Sequence, residues 1–186
     1  MDDNGILRVI MSRRSVLRFT DAAVDEGKLE AVLEAGRWAP SYINSQPWEF
    51  VVVRDLRLRS RVADVLRRVT ISWQGFEQAP AIIVIAVDIA TDPRHHVEDG
   101  AAAAQNMALM AHSLGLATFW AGIHSDENAL GSPEDELRAL LGIPRTMRLI
   151  AALPVGFPVG RPESGRRPLS EMVHWDGFRK EKRAAR

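Results

Sequence analysis

The segment R-W-A-P-S-Y-I-N-S-Q-P-W-E-F-V-V-V, residues 37–53, decides how the chain is read. Its first residues close a helical pattern, and its last four, Phe50 to Val53, form a run suited to a strand. Between them lies a stretch too apolar for an ordinary loop and too polar for a core. Pro40 and Pro47 each fix φ and remove an amide donor, so the connection has a defined shape. Ser41, Asn44, Ser45 and Gln46 set hydroxyl and amide groups on that frame, beside Tyr42 and Trp48. A flat heteroaromatic ligand needs this mixture: hydrogen bonds at its edge and apolar contact on its faces. A well-packed surface turn would use the same letters, so residue types alone leave both readings open.

The pattern A-P-S-x-x-N-x-Q-P-W-x-F-x-V-V resembles the signature of the nitroreductase family of FMN-dependent oxidoreductases. Upstream, Arg13-Arg14-Ser15 with Phe19 and Asp21 behind it is similar to that family's N-terminal motif. Two guanidiniums beside a hydroxyl suit a phosphate, because Arg presents forked donors that match phosphate oxygens. Taken alone they would read as solvated surface arginines. The resemblance implies instead that Arg13, Arg14 and Ser15 grip the flavin's phosphate and ribityl end. One departure stands out. The family commonly carries a second basic residue two positions after the serine, near the pyrimidine edge of the flavin, and this chain has Leu17 there with Arg18 one step later. Loss of a cation near N1 implies a lower reduction potential, and the sequence does not show whether Arg18 reaches that place.

A length of 186 residues fits one domain with a full core. Formal net charge is zero, which gives no reason to expect a nucleic-acid or membrane-surface partner. Without cysteine there is no disulfide, thiol nucleophile or thiolate metal site. The N-terminus lacks an apolar signal-peptide core and no apolar run approaches the roughly 20 residues of a membrane span, so a cytoplasmic protein is expected. His95 and His96 are adjacent, the wrong spacing for two ligands on one helix face, and no metal site is expected. His112-Ser113 with Asp99 could be drawn as a hydrolase triad, but no Gly-x-Ser-x-Gly elbow supports it.

Periodicity places the remaining elements. Ile6, Val9 and Ile10 make a short helical stripe, and Leu29, Val32, Leu33 and Gly36 mark a helix over 25–38. Leu58, Val62, Val65, Leu66 and Val69 mark another, whose opposite face carries Arg57, Arg59, Arg61, Arg67 and Arg68 and reads as solvated. The stretch 71–78, with Trp73 and Phe76, takes no role. Residues 81–87 read as a buried central strand. Residues 97–114 form the longest helical pattern, and four consecutive alanines, Ala101 to Ala104, suit close packing against another helix. Ser132 is an N-cap with Pro133 at N1, opening a helix to about Leu141 that Gly142-Ile143-Pro144 stops. A last strand runs over 148–155, and a Pro/Gly-rich C-terminal arm covers about 157–186, its charged end expected to fray.

Two further stretches match the family. Gly115 to Gly122 resembles its turn into a strand that ends in a small residue near the isoalloxazine ring, which implies that Gly122 lets the backbone approach flavin N5. Read as residues only, it is a plain helix–Gly–strand connection. The arm, with Arg166-Arg167-Pro168-Leu169, resembles the family's ending, where an arginine before the proline completes the phosphate site; Arg166 is the first choice and Arg167 the alternative. The resemblance implies an α+β fold with a mostly antiparallel central sheet flanked by helices, and an intertwined homodimer with FMN at the subunit interface. Exposure of Tyr42, Ile43 and Trp48 in the 40–48 loop would also call for a partner copy.

The implied activity is ping-pong hydride transfer from NADH or NADPH through FMN to a nitroaromatic, quinone or similar small acceptor. The chemistry belongs to the cofactor, so no catalytic side chain is named. Pro40, Ser41 and Tyr42 of the partner copy would pack on the ring, while Asn44 and Gln46 order that loop or reach the ribityl chain and ring edge. No Gly-x-Gly-x-x-Gly follows a strand and no Walker A sequence occurs, as expected of a family whose nicotinamide donor docks over the flavin. Two alternatives stay open: flavin cleavage or reductive dehalogenation on the same fold, and a non-catalytic FMN-binding or sensing protein, which Leu17 keeps in view.

Overall fold

The structure, a computed structural model, describes residues 4–69, 76–123 and 130–178. Of the stretch 71–78, only 76–78 falls inside that range, as a single 3-10 turn; 71–75 and the charged end beyond 178 lie outside the described residues.

Strand β2 (Ala81–Asp88) organises the chain. Its residues are apolar without alternation because both of its faces are covered. Ile82, Val84 and Ala86 point to one side, where α3 (Leu56–Leu66) and α5 (Pro133–Leu141) supply Val62, Leu66 and Leu137. Ala81, Ile83 and Ile85 point to the other, where α2 (Glu26–Arg37) and α4 (His96–Ser113) supply Leu29, Val32 and Met107. Along its edges β2 pairs antiparallel with β1 (Trp48–Val53) and with β5 (Met147–Gly156), in a register that sets Val84 opposite Val51 and Ala152. β5 also pairs antiparallel with the two-residue strands β3 (Ala117–Thr118) and β4 (Ala121–Gly122). The strand order is β1-β2-β5-β3, with β4 beside β5. The expected antiparallel sheet with flanking helices is present.

Close approach of α2 to α4 needs Gly36, since a Cβ there would collide with the side chain of Met107 and sit 3.2 Å from Phe50 Cζ. Three of the four alanines expected to pack, Ala102, Ala103 and Ala104, join the apolar clusters beneath α4. Ser132 accepts a hydrogen bond from the amide of Asp135 at 3.2 Å, and Gly142 ends α5 with φ +68°, as the cap residues foretold. Helix α1 (Gly5–Ser12) forms where the Ile6 stripe placed it, yet none of its residues is buried. No helix among the described residues is long and apolar enough to cross a membrane.

One expectation fails. Trp48 is not an exposed loop residue; it is 7% exposed and packs with Ala39, Val87, Ala103 and Ile150. The cause is the ladder. Asp88 donates its amide to the Pro47 carbonyl at 2.8 Å, so pairing with β2 begins two residues before the β-branched run and directs Trp48 inward, opposite Val87.

A buried ionic cluster fastens α5 to β5. Glu134, 1% exposed, accepts from Arg138 at 2.9 Å and from Arg148 at 2.8 and 3.1 Å, and takes the Leu149 amide at 2.9 Å. Removing Glu134 takes away the buried carboxylate that Arg138 and Arg148 share and leaves Arg138 its longer contact with Asp135 at 3.4 Å, which costs far more than the intact cluster contributes. We expect Glu134→Ala to destabilise the fold by about 3–5 kcal/mol, read from urea unfolding followed by circular dichroism. An unmoved midpoint would show that Arg138 and Arg148 find water or other partners.

Candidate functional site

The residues singled out in the sequence gather at the two ends of α4. At its N-terminal end the 40–46 loop turns through a 3-10 segment, Tyr42–Asn44, in which Ile43 and Asn44 have φ of 47° and 59°; Gln46 follows at 49°. Left-handed backbone is costly for any residue with a Cβ and most of all for a β-branched one. The loop is held there by Asp99, buried on the first turn of α4, which accepts from the Tyr42 amide at 3.1 Å and from Ser45 Oγ at 3.5 Å. Ser41 Oγ accepts the Gln46 amide at 2.9 Å, and Gln46 Nε2 donates to the Asn44 carbonyl at 3.4 Å. Burial pushes the Asp99 carboxyl above the usual carboxylate range, with the Tyr42 amide pulling the other way. Ser41 and Gln46 therefore brace the loop from within. Tyr42 lies on the ring of His95, centroids 4.0 Å apart, and with Ile43 (82% exposed) it stands clear of the chain.

At the C-terminal end of α4 lies a cluster of cations. Arg13, Arg14 and Ser15 follow α1 directly, and the arm brings Arg161 and Arg166 back against them. Arg14 donates to the carbonyls of Met11 (2.6 Å), Arg13 (2.8 Å) and Ser164 (3.3 Å), so it ties the arm down. Arg166 donates to Ser164 Oγ at 2.9 Å and to the Gly165 carbonyl at 2.8 Å. Burial, then the charges of Arg166 and Arg14, hold the Arg13 guanidinium below its ordinary value, and among the described residues no carboxylate forms an ion pair with Arg13. It is Arg166 of the arginine pair, not Arg167, whose charge is felt at Arg13. Such a cluster is suited to a multivalent anion.

Ser15 bridges to Thr118 of β3, and Val16 donates its amide to the Thr118 carbonyl at 3.0 Å, so the N-terminal motif runs beside the strand pair that carries Gly122. Gly122 is exposed, and among the described residues a Cβ built there would meet only Trp120 Nε1 at 3.7 Å. Arg18 lines a separate cavity of about 690 Å³ with Phe19, Asp21, Arg54 and Glu77. None of these residues lines the cavity beside Arg14.

Three participants escaped sequence reading: Ser12, His112 and Arg161. Ser12, Arg14 and the arm residues 161–165 line a cavity of about 480 Å³. His112 Nε2 lies 2.7 Å from Ser12 Oγ, and Arg161 reaches His112 Nδ1 at 3.0 Å and the carbonyls of Gly115 and Leu116 at 3.2 and 3.0 Å. Ser12 and His112 meet where α1 touches α4, and the return of the arm adds Arg161; no local pattern carries that information. The imagined triad is excluded by the same geometry: Asp99 and His112 stand thirteen residues apart on one helix, about 20 Å by helical rise.

The family model described as "Nitroreductase family" matches residues 10–72 and 65–157. A protein of Methanothermobacter thermautotrophicus, provisionally named an NADH dehydrogenase/NAD(P)H nitroreductase, is 30% identical over 84% of this chain and 79% of its own. A nitroreductase-type protein of Desulfovibrio desulfuricans, solved in complex with FMN, is 32% identical and superposes with a TM-score of 0.75 over 95% of this chain and 99% of its own. The iodotyrosine deiodinase of Daphnia pulex is 26% identical over 90% of this chain and 65% of its own.

Tyr42 is the chain's single tyrosine, so it reports on the loop alone. With 3-fluorotyrosine incorporated, we expect Asp99→Ala to move the fluorine resonance toward its unfolded position and sharpen it, while the far-ultraviolet circular dichroism stays unchanged. A resonance that does not move would show that Asp99 is not what holds the loop.

Proposed function

Because the chain belongs to the nitroreductase family, we propose that it is an NAD(P)H-dependent oxidoreductase carrying FMN, which passes reducing equivalents to a nitroaromatic, quinone or similar small electrophile. The observation that carries this reading is the convergence of Arg13, Arg14 and Arg166, with no carboxylate among the described residues paired to Arg13. A phosphate would relieve that repulsion. Bound FMN would supply the redox chemistry, accepting a hydride from NADH or NADPH and returning it to the acceptor. The chain's part is to hold and orient. Arg13 and Arg166 face the phosphate, Arg14 fixes the arm, and Ser15, next to β3, reaches the ribityl chain. Gly122 leaves room for the ring to approach the backbone. Arg18 lines a different cavity from Arg14, which supports Leu17 as the side chain at the pyrimidine edge and with it a low potential.

The reading requires a second copy. The 40–46 loop and the arginine cluster sit at opposite ends of α4, so one chain does not bring them together. An isologous dimer in which the two α4 helices run antiparallel would set Tyr42 and Ile43 of one copy over the cluster of the other. Apolar groups support this: Ile6, Leu7, Ile10 and Met11 on α1, and Leu169, Met172, Trp175 and Phe178 on the arm, are all exposed on the lone chain. Likeness to an iodotyrosine deiodinase favours dehalogenation as the second reading, on the same cofactor site.

Purified protein is expected to be yellow, to bleach anaerobically with NADH or NADPH, and to recolour with a nitroaromatic or quinone. Charge-assisted hydrogen bonds contribute about 1.5–3 kcal/mol each, so Arg13→Ala and Arg166→Ala should each weaken FMN binding by about tenfold or more. Protein that stays yellow with both donors would sink the reductase. Recolouring with a halophenol and not with nitroaromatics would move the reading to dehalogenation. Failure to take up FMN at all would remove the cofactor.

A further inference from the structure

The contacts around His112 admit only one arrangement of protons. A guanidinium has donors and no acceptor, so the Arg161 nitrogen 3.0 Å from Nδ1 makes Nδ1 an acceptor. The ring proton then sits on Nε2 and is donated to Ser12 Oγ at 2.7 Å, while the Ser12 hydroxyl hands its own proton to the Arg8 carbonyl at 2.7 Å. His112 is thus neutral, in the Nε2–H form, and both nitrogens are engaged. Arg161 adds bonds to the Gly115 and Leu116 carbonyls just past α4, where the helix dipole also favours a cation. Arg14 reaches the same arm through the Ser164 carbonyl, so the arm is docked from two sides over the Arg13–Arg166 cluster.

The geometry points to His112 and Arg161 as positioning residues of the phosphate site: neutral His112 latches Arg161, and with it the C-terminal arm, over the cluster, and a proton on Nδ1 opens the latch. This rests on the reading that the cluster binds the flavin phosphate. A proton on Nδ1 would face the Arg161 guanidinium donor to donor and charge to charge. Arg13 and Arg14 after α1 and Arg161 on the arm all oppose it, and with burial they hold His112 below its ordinary value. On the flanking elements, Lys28 of α2 lies nearby, donating to the Leu114 carbonyl at 3.4 Å, and Glu163 is the carboxylate lining the adjoining cavity.

The sign follows from linkage. Docked, His112 has a depressed value; undocked, it returns toward about 6.5, so the docked arm holds fewer protons. Docking is therefore complete above that value and is lost as pH falls below it, by up to about tenfold per unit.

The test compares FMN dissociation constants at pH 7.5 and 5.5 for the full-length protein, His112→Asn and Arg161→Ala. Asparagine supplies an acceptor oxygen near the place of Nδ1 but does not titrate. The flavin phosphate itself titrates near about 6, so all three proteins share that background. We expect the wild type to lose more affinity than His112→Asn over this range, by a factor of up to about ten, and Arg161→Ala to be weak at both values with no excess slope. Superimposable profiles for wild type and His112→Asn would overturn the latch. Histidine ring nitrogen resonances in flavin-free protein give an independent reading. An unprotonated Nδ1 and protonated Nε2 at neutral pH, with arm amides that exchange faster below pH 6, support the latch; the opposite tautomer, or exchange indifferent to pH, overturns it. If FMN binds at no pH, the cofactor reading falls, and the ring resonances and arm exchange still decide the latch.

Discussion

The Asp99 carboxylate, shut away on the first turn of α4, is the contact on which the shape of the site's outer half depends. Ile43, Asn44 and Gln46 all occupy left-handed backbone, at a cost of order 1–3 kcal/mol each for residues with side chains. The loop's own hydrogen bonds offset only part of that. Two hydrogen bonds to one buried carboxylate, with the Ser41 hydroxyl closing the turn onto Gln46, over-determine the conformation. Asp99 in turn is fixed because α4 is wedged between α2 and the sheet, where Gly36, Ala103, Ala104 and Met107 leave no slack. Strain in an exposed loop is thus sustained by packing in the core.

The opposite end of α4 works by another principle. There the arrangement is electrostatic, and a set of like charges is kept close by hydrogen bonds to neutral partners. Arg14 and Arg166 hold main-chain carbonyls, and Arg161 holds an uncharged imidazole. Carbonyls position a guanidinium without cancelling its charge, which leaves the cluster receptive to an anion. The buried Glu134–Arg138–Arg148 group on α5 and β5 shows the contrast: there the carboxylate lies between its cations and the charges close upon themselves.

Much of this was legible in the residues, for local reasons. The run of β2, the caps of α5, the Gly115 turn and the stripe of α2 all follow from spacing and backbone preference within a few positions. The two motifs, residues 13–15 and 39–48, stand out because they are contiguous. What stayed hidden depends on contacts between distant segments. Trp48 looked like a loop residue because its burial is decided by pairing with Val87, and His112 looked idle because its partner arrives on an arm 49 residues later. The surroundings of Arg18 were equally out of reach, because the cavity it lines is walled by Arg54 and Glu77 from later in the chain. Asp99, considered only as the acid of the discarded triad, had no sequence signal for its hold on the loop beyond being an acidic residue in the first turn of a helix.

Helix α1 carries one more implication. It has eight residues, an Asn4 cap, and no buried side chain on a lone chain, so by itself it is shorter than the roughly 12–15 residues at which helices become marginal in water. Arg13 and Arg14 begin where it ends. Arg14 is also tied to Ser164, but the helix that leads into the pair is only as durable as whatever covers Ile6, Leu7, Ile10 and Met11. If that cover is the proposed second copy, mass action makes it depend on how many copies of the chain are present. Dilution would then act on this molecule as a mild denaturant confined to one end, fraying its N-terminal turn and dispersing the arginines while the β2-centred core stays folded.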